Sequence, residues 1–399
     1  MGSVVLSGAT SGATTITPTD AVTVSLTLPS TTGTLGLASG SATQSINAQN
    51  TFGFKNRIIN GGMVIDQRNA GASGTVTNVF TVDRWKFYGS QSSKLTWGQN
   101  LNSITPPSGY TNYLGIQSSS AYTVTASDYF EFYQAIEGFN LTDLAWGTAN
   151  AKSVTLSFLV YSSLTGTFGG SIQNNGQSRS YPFTYTISTA NTWTSISVTI
   201  TGETSGTWLT TNGAGLLLWL GFGVGSTFSG TAGSWSSGNY ISATGATSVV
   251  GTSGATFYVT GVQLEVGTQA TSFDFRDYGR ELILCQRYYQ KTYDYGIVAG
   301  TAGSSTPSAN NGALNYVVPA TSTYNTLLYT FKTYMRAVPT TTVYANYTGA
   351  SGYFSVSGGA NISISNAGYD GMSSSGYYTT SSVSGTNQIT AHMTASAEL

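Results

Sequence analysis

The chain has 399 residues and a formal net charge of −1, and charged residues make up only 7% of it, against roughly 25% in ordinary soluble proteins. This charge balance does not indicate electrostatic binding to nucleic acid or to an acidic membrane surface. The polar surface must therefore consist of Ser, Thr, Asn, Gln and Gly, with 49 glycines and 26 tyrosines in the chain. Because Thr, Tyr, Phe and Val favour strands, and Gly and Ser mark turns, the composition predicts an all-β protein.

The first 54 residues form a region of their own. Apolar and polar residues alternate over residues 21–28, and large aromatic residues are absent before Phe52. Two or three short strands of this kind cannot bury enough apolar surface alone. We therefore predict a β attachment segment at residues 1–54, packed on copies of itself around a three-fold axis or on a neighbouring protein. The alternative is a disordered leader, because uncharged Ser, Thr and Gly tracts are often mobile.

Residues 55–277 are predicted to form the main domain. Stretches at the spacing of a β-sandwich predict ten strands, at residues 83–88, 94–98, 113–117, 129–136, 153–161, 166–173, 181–187, 192–201, 216–224 and 257–266. The pattern predicts a two-sheet jelly roll whose last strand lies beside its first. The longest apolar run, residues 215–224, is too short for a bilayer, which takes about 20 residues. We interpret it as a buried central strand.

A helix is predicted to follow, as a short neck over residues 278–292. Leu282, Cys285 and Tyr289 recur at the three- and four-residue spacing of one helix face. Asp277 lies near the expected N-terminus, where its charge suits the positive end of the macrodipole. The single cysteine excludes an internal disulfide, and Cys285 is predicted to be a buried helix residue rather than a reactive thiol.

Residues 293–399 return to short strands separated by Gly and Ser turns. Strands are predicted at residues 315–318, 324–331, 341–347 and 353–356. This C-terminal β tip domain is small, rich in tyrosine and nearly uncharged. It looks marginal as an isolated fold, which points to packing in an oligomer.

The patterns for catalysis and for metal or cofactor binding are weak in this sequence. His392 is the only histidine and Cys285 the only cysteine. They leave no Ser–His–Asp or Cys–His site and no His-based or thiolate zinc site. No phosphate-binding glycine loop or dinucleotide motif is present. We therefore expect no cofactor and no metal, although an irregular structural calcium site within the jelly roll stays open.

Glycoside hydrolysis is the enzymatic alternative, because it needs two carboxylates roughly 5–10 Å apart. The candidate pairs are Asp128 with Glu131, Glu131 with Glu137, and Asp274 with Asp277. On a regular strand Glu131 and Glu137 are about 20 Å apart, while Asp128 and Glu131 lie on opposite faces. Asp274 and Asp277 have nearby arginine partners, Arg276 and Arg280. Structural pairing is preferred over catalysis, so the chain is not predicted to be an enzyme.

Uncharged glycans bind to aromatic faces and to hydroxyl or amide partners, and the chain is rich in both, with 13% aromatic residues. Trp85, Trp193 and Trp219 lie in apolar strands and are predicted to be core residues. The candidate glycan-binding residues lie in polar loops or beside glycine turns: Trp208 and Trp235 in the main domain, and Tyr344, Tyr347, Tyr353, Tyr377 and Tyr378 in the C-terminal domain. The alternative for the tyrosines is that they fill a three-fold interface.

Three stretches of the sequence resemble recurrent modules of bacteriophage tail-fibre proteins. They are NRIINGGMVIDQRNAG with TVDRWKFY, DYFEFYQAIEGFNLTDLAWGTANAKSVTLSFLVYSS, and GVQLEVGTQATSFDFRDYGRELILCQRYY, in this order between residues 56 and 289. In proteins of that family a jelly-roll domain similar to carbohydrate-binding modules precedes a short helix and a small β-rich tip.

The resemblance implies a structural virion fibre subunit that mediates adhesion to host-surface glycans. It implies a homotrimer, attached through residues 1–54 to a tail or capsid protein and located in the virion after assembly in the host cytoplasm. The expected ligand is a host cell-surface polysaccharide, with no nucleic acid partner and no membrane insertion. The alternatives are a head fibre or capsid-decoration protein with the same modules, and a fibre that hydrolyses polysaccharide.

Overall fold

A computed structural model describes residues 4–7, 13–16, 54–303, 312–317, 325–356, 359–364, 366–367, 371–379 and 388–399. The strand predicted at residues 21–28 lies outside the described residues. The chain divides into two compact units, Met1–Ile46 and Asn47–Leu399. In the first unit, β1 (Val4–Ser7) and β2 (Ala13–Ile16) pair as an antiparallel hairpin.

The second unit begins with a run of strands between residues 79 and 266. They are β3 (Val79–Val82), β4 (Trp85–Gly89), β5 (Leu95–Gln99), β6 (Leu114–Ser118), β7 (Tyr129–Glu137), β8 (Val154–Ser162), β9 (Gly166–Asn174), β10 (Arg179–Ile187), β11 (Thr194–Ile200), β12 (Ala214–Val224), β13 (Ser229–Gly230), β14 (Ser236–Ser237), β15 (Ser242–Ala243) and β16 (Thr256–Val266). Short 3-10 turns occur at Leu101–Ser103, Gly138–Asn140 and Thr142–Leu144. Each of the ten predicted strands overlaps one of these strands, because alternation along a strand is a local signal.

Most of these strands form two antiparallel sheets that pack face to face as a β-sandwich. The seven-stranded sheet has the order β14-β10-β9-β12-β7-β4-β3, and the five-stranded sheet has the order β11-β8-β16-β6-β5. Their inner faces meet in one core, where the ring centroids of Phe222 on β12 and Phe257 on β16 are 5.1 Å apart. The prediction of an all-β fold with a sandwich is therefore confirmed.

The last strand of the sandwich does not lie where the sequence pattern placed it. β16 pairs with β8 and β6 in the five-stranded sheet, whereas the first predicted strand, residues 83–88, belongs to the opposite sheet as β4. The chain that enters the domain lies beside β16 instead, since Arg57 N donates to Leu264 O and Val262 N donates to Gly61 O, both at 3.0 Å. Alternation predicts strands but not which strands become neighbours.

The predicted helix is shorter than expected. α1 spans Tyr278–Gln286, and Asp277 caps it by accepting from the backbone N–H of Arg280. The chain then becomes a strand, β17 (Tyr289–Lys291), which pairs with the last strand of the chain. Cys285 is buried, as predicted. Among the described residues no helix is long and apolar enough to cross a membrane.

The C-terminal strands form two further sheets with a core of their own. The strands are β18 (Leu314–Val317), β19 (Asn325–Thr330), β20 (Thr340–Ala345), β21 (Tyr353–Val356), β22 (Asn361–Ser363), β23 (Asn366–Ala367), β24 (Ser374–Thr379) and β25 (Gln388–Ser396). β25 pairs with β17, β18, β20 and β21, so it is the central strand of the larger sheet. The smaller sheet has the order β19-β24-β23.

Charged contacts join the C-terminal strands and α1 to the sandwich. Arg287 donates to the two carboxylate oxygens of Glu137 at 2.9 and 2.6 Å, and the Tyr288 hydroxyl donates to the same carboxylate at 2.7 Å. Glu398, near the end of the sequence, pairs with Arg84 of the sandwich. The division into domains 1–54, 55–277, 278–292 and 293–399 stays a prediction.

Candidate functional site

The seven-stranded sheet is aromatic on both of its faces. Side chains alternate along a strand, so on β7 Phe130 and Phe132 enter the core of the sandwich, while Tyr129 and Tyr133 lie on the outer face. β4 repeats the pattern, with Tyr88 on the outer face. A sheet that is exposed to solvent on one face normally carries polar residues on that face, so an aromatic outer face is unusual.

The outer residues form one connected group, which we call the aromatic face: Tyr88, Tyr129, Tyr133 and Trp219. Tyr88 stacks on Tyr129 with ring centroids 5.0 Å apart and planes at 16°. Tyr133 lies 4.4 Å from Trp219, and Tyr88 lies 5.6 Å from it. The three tyrosines are half-buried, and Trp219, on the neighbouring strand β12, is only 4% exposed. The residues that carry these rings are positioned by paired strands rather than by a loop.

The segment between β12 and β16 covers one side of this outer surface. Added Cβ atoms at Gly169 and Gly221 would lie 2.6 and 2.9 Å from Ser242 Oγ, so the lack of side chains there lets the segment approach the sheet. Phe228 of this segment packs edge-on against Tyr129, with centroids 5.7 Å apart. Phe228 and Leu399 thus pack against this cluster, while the three tyrosines on β4 and β7 stay partly exposed.

A polar cavity of about 420 Å³ lies within the same covering segment. The side chains that line it carry hydroxyl groups: Ser229, Thr231, Ser236, Ser237, Tyr240 and Thr244. Gln173 links it to the aromatic face, because its Nε2 donates to Tyr240 O at 3.1 Å and its Oε1 accepts from Trp219 Nε1 at 2.9 Å. Aromatic rings and hydroxyl groups are thus placed side by side on one sheet.

Glu131 lies on this outer face and is completely buried. It is positioned between Tyr129 and Tyr133 along β7 and opposite Tyr88 and Gly221 on the flanking strands. Neither carboxyl oxygen has a hydrogen-bond partner among the described residues. Burial raises the pKa of Glu131 well above its ordinary value. This shift favours the neutral carboxyl, which has an O–H to donate.

The two predicted loop tryptophans belong to a different cluster. Trp208 and Trp235 pack edge-on against each other at 5.5 Å, and against Trp146 at 4.7 and 5.4 Å. Their indole N–H groups already donate to the carbonyl oxygens of Ser205 and Thr201. Both rings are half-buried against the sandwich core. The prediction that they lie in loops is correct, but their contacts are those of packing residues.

The predicted C-terminal tyrosines are spread over both C-terminal sheets. Tyr344 on β20, Tyr347 after it, and Tyr378 on β24 are half-buried, whereas Tyr353 on β21 is 39% exposed. Tyr377 is only 5% exposed and belongs to the C-terminal core. The structure differs here from the prediction of a recognition residue, because the alternation along β24 turns Tyr377 inward.

The tryptophans predicted to be core residues are mostly buried. Trp85 and Trp219 are 0% and 4% exposed. Trp193 is half-buried and precedes β11, where its indole N–H donates to Thr105 O at 2.9 Å. Sequence reasoning missed Tyr88, Tyr129 and Tyr133, although aromatic residues at successive positions of β4 and β7 were a visible signal for a sheet with two apolar faces.

Apart from Glu131, which has no hydrogen-bond partner among the described residues, the carboxylates considered for hydrolysis have structural partners. Burial acts to raise the pKa of Asp128, but hydrogen bonds from Thr125, Ser90 and Tyr122 hold that pKa below its usual range. Glu137 is ion-paired as described above, and Asp274 Oδ2 lies 3.6 Å from Arg276 Nε. Asp277 caps α1 by accepting a hydrogen bond from the backbone N–H of Arg280, not from the Arg280 guanidinium. Among the described residues no group of three or more His, Cys, Asp or Glu is arranged to hold a metal ion.

Comparisons with known proteins give matches among solved structures only. No family model matches the chain, and no curated protein matches it. A putative sugar-binding protein from Bacteroides thetaiotaomicron aligns with 53% of this chain and 100% of its own, at 12% identity and a TM-score of 0.31. The family 11 carbohydrate-binding module of a Clostridium thermocellum cellulase aligns with 50% and 98%, at 12% identity and a TM-score of 0.25.

The enzymatically active domain of tailspike protein 4 from bacteriophage CBA120 aligns with 53% of this chain, at 12% identity and a TM-score of 0.28. This chain spans only 21% of that domain. At such TM-scores the similarities carry no argument about function, and the description of the sandwich rests on its own two sheets.

Proposed function

We propose that the chain is a subunit of a bacteriophage fibre that binds host-surface glycans through the aromatic face. The observation that carries this proposal is the group of three partly exposed tyrosines, Tyr88, Tyr129 and Tyr133, which lie beside the buried Trp219. Sugar rings present apolar C–H surfaces, and recognition sites combine aromatic walls with a few placed polar groups. Side chains on paired strands hold such a geometry better than side chains on loops.

The low charge of the chain supports an uncharged ligand. Only 7% of the residues are charged, and the cavity beside the aromatic face is lined by hydroxyl groups. Hydroxyl and amide groups can form hydrogen bonds with sugar hydroxyls without long-range electrostatic attraction between protein and ligand. The half-buried Tyr344, Tyr347, Tyr353 and Tyr378 stay predicted as a second, C-terminal contact region.

The fibre role includes a homotrimer, attachment to a tail or capsid protein through residues 1–54, and a place in the virion. Three strongly exposed apolar side chains support an oligomer: Phe139 at 59%, Ile283 at 54% and Val338 at 58%. The segments that carry these residues are linked through Arg287. Its N–H donates to Ile283 O, its carbonyl oxygen accepts from Arg336 N, and its side chain pairs with Glu137. Grouped exposed apolar residues mark contact surfaces.

The test is binding of the purified full chain to an array of immobilised bacterial polysaccharides. We expect Tyr133→Ala and Tyr129→Ala to lose binding, since each removes one ring of the aromatic face. Tyr316→Ala is the matched control, because Tyr316 is a 38% exposed tyrosine on β18 of the C-terminal sheet. Equal binding by all variants would contradict this site, and no binding by a folded wild-type protein would contradict the function.

Adsorption competition separates the kinds of fibre. Labelled protein is added to host cells before the parent phage, and a tail fibre is expected to block adsorption in a saturable way. Binding without a block would favour a head fibre or decoration protein. Release of reducing ends from the bound polysaccharide would instead favour the hydrolytic alternative.

A further inference from the structure

The buried carboxyl at the centre of the aromatic face has no structural partner. Glu131 is 0% exposed, and both of its oxygens lack a hydrogen bond within the part of the chain that the structure describes. Other buried carboxylates of the sandwich are satisfied: Asp83 accepts from Gln67, and Glu137 accepts from Arg287. An unpaired buried polar group is destabilising, so Glu131 differs from these buried carboxylates.

A second unpaired group lies next to it on the same face. Ser242 is 1% exposed, its Oγ has no partner among the described residues, and it lies directly over Gly221. Gly221 is the cross-strand neighbour of Glu131. Two unsatisfied polar groups therefore flank the same glycine.

We propose that Glu131 lies at the bottom of the glycan site, where its carboxyl forms a hydrogen bond with an uncharged sugar hydroxyl and so selects for it. This inference rests on the proposed function, because it assigns a role within the same face. Its covering neighbours Tyr88 and Tyr129 are half-buried, and side-chain rotamer changes are common when a ligand binds. Movement of these rings would open the carboxyl to a ligand held against Tyr133.

The chemistry of a neutral carboxyl matches a hydroxyl group. A protonated carboxyl donates one hydrogen bond and accepts others, and a sugar hydroxyl does the same. A uronic acid offers a carboxylate, which is acceptor-only and carries a charge that is costly to bury without a partner. The site is therefore expected to prefer neutral oligosaccharides over uronic acid oligosaccharides.

The experiment compares the wild-type full chain with Glu131→Gln and Glu131→Leu by isothermal titration calorimetry at pH 7. The probes are cellotetraose, maltotetraose, mannotetraose, galactotetraose and tetragalacturonic acid. Glu131→Gln keeps a donor and an acceptor, so its affinity for the neutral probe that binds best is expected to stay within about threefold of wild type. Glu131→Leu is expected to lose at least about tenfold, since the sugar hydroxyl then has no partner.

The outcomes separate this inference from the proposed function. Wild-type affinity in Glu131→Leu, or an equal loss in both variants, would overturn the role of the carboxyl and leave glycan binding in place. Preference for tetragalacturonic acid would overturn the uncharged class. If the wild type bound none of the probes and no polysaccharide on the array, both the proposed function and the role of the carboxyl would be refuted. Thermal melting confirms folding, and Glu131→Met replaces Glu131→Leu if the latter does not fold.

Discussion

The single histidine makes the stability of the C-terminal sheets depend on pH. His392 lies on β25, is 0% exposed, and stacks on Tyr293 with ring centroids 3.6 Å apart. Its Nδ1 is 3.2 Å from Thr292 Oγ1, while its Nε2 has no hydrogen-bond partner among the described residues. Burial lowers the pKa of His392 from 6.5 to about 4, because a charged imidazolium would lose its hydration there.

The sign of the effect follows from proton uptake. Below pH 6.5 the unfolded chain binds a proton at this histidine, whereas the folded chain does so only near pH 4. Stability is therefore lost progressively as the pH falls through this window. One pKa unit corresponds to about 1.4 kcal/mol, so the contribution of His392 amounts to roughly 3 kcal/mol of unfolding free energy at pH 4.

The test variant is His392→Phe, which keeps an aromatic ring against Tyr293 but cannot titrate. Urea unfolding of wild type and variant is measured at pH 7 and pH 4 by circular dichroism. Contributions of carboxylates are common to both proteins, so we expect the loss of stability between the two pH values to be about 3 kcal/mol smaller in the variant. The same loss in both proteins would refute the buried neutral histidine.

Three further predictions concern the sandwich and its contacts. Glu131→Gln should stabilise the protein at pH 7 and above. Because the pKa of Glu131 is raised in the folded chain, the stability of the wild type falls as the pH rises above the ordinary pKa of a glutamate. Parallel curves of melting temperature against pH for the two proteins would contradict this. Arg287→Ala should cost about 2–3 kcal/mol in urea unfolding, since the buried Glu137 then keeps only the hydrogen bond from Tyr288, whereas the exposed Arg280→Ala should cost little. Equal losses would argue against the ion pair. Trp235→Ala should cost roughly 2 kcal/mol, because the ring is half-buried in the tryptophan cluster, yet glycan binding should persist on the polysaccharide array.

Several features of the fold could be predicted because their signals are local. The period of two in residues 129–136 and 257–266 predicted β7 and β16 nearly to their ends. The N-terminus of α1 was predictable as well, since Asp277 is a favoured capping residue directly before the helical pattern. Burial of Cys285 followed from its place on the apolar side of that pattern.

The end of α1 and the pairing of the strands depend on distant residues. Tyr289 fits the helical spacing, yet it pairs with Ser396, and Gln290 pairs with Ala395, more than 100 residues away. Backbone hydrogen bonds to β25 therefore end the helical path. In the same way, β16 was predictable as a strand, but its place between β8 and β6 is set by pairing with strands that are distant in the sequence.

The candidate site also depends on residues that are distant in the sequence, and it shows most clearly what sequence alone could not predict. Sequence alone determined that the chain is all-β, aromatic and almost uncharged, because these properties belong to each residue. Only the tertiary structure decided that Trp208 and Trp235 pack together, that Tyr377 is buried, and that Tyr88 meets Tyr129 on an outer face. Exposure of an aromatic ring is a property of its neighbours, and in a β-sandwich those neighbours come from strands that are far apart in the chain.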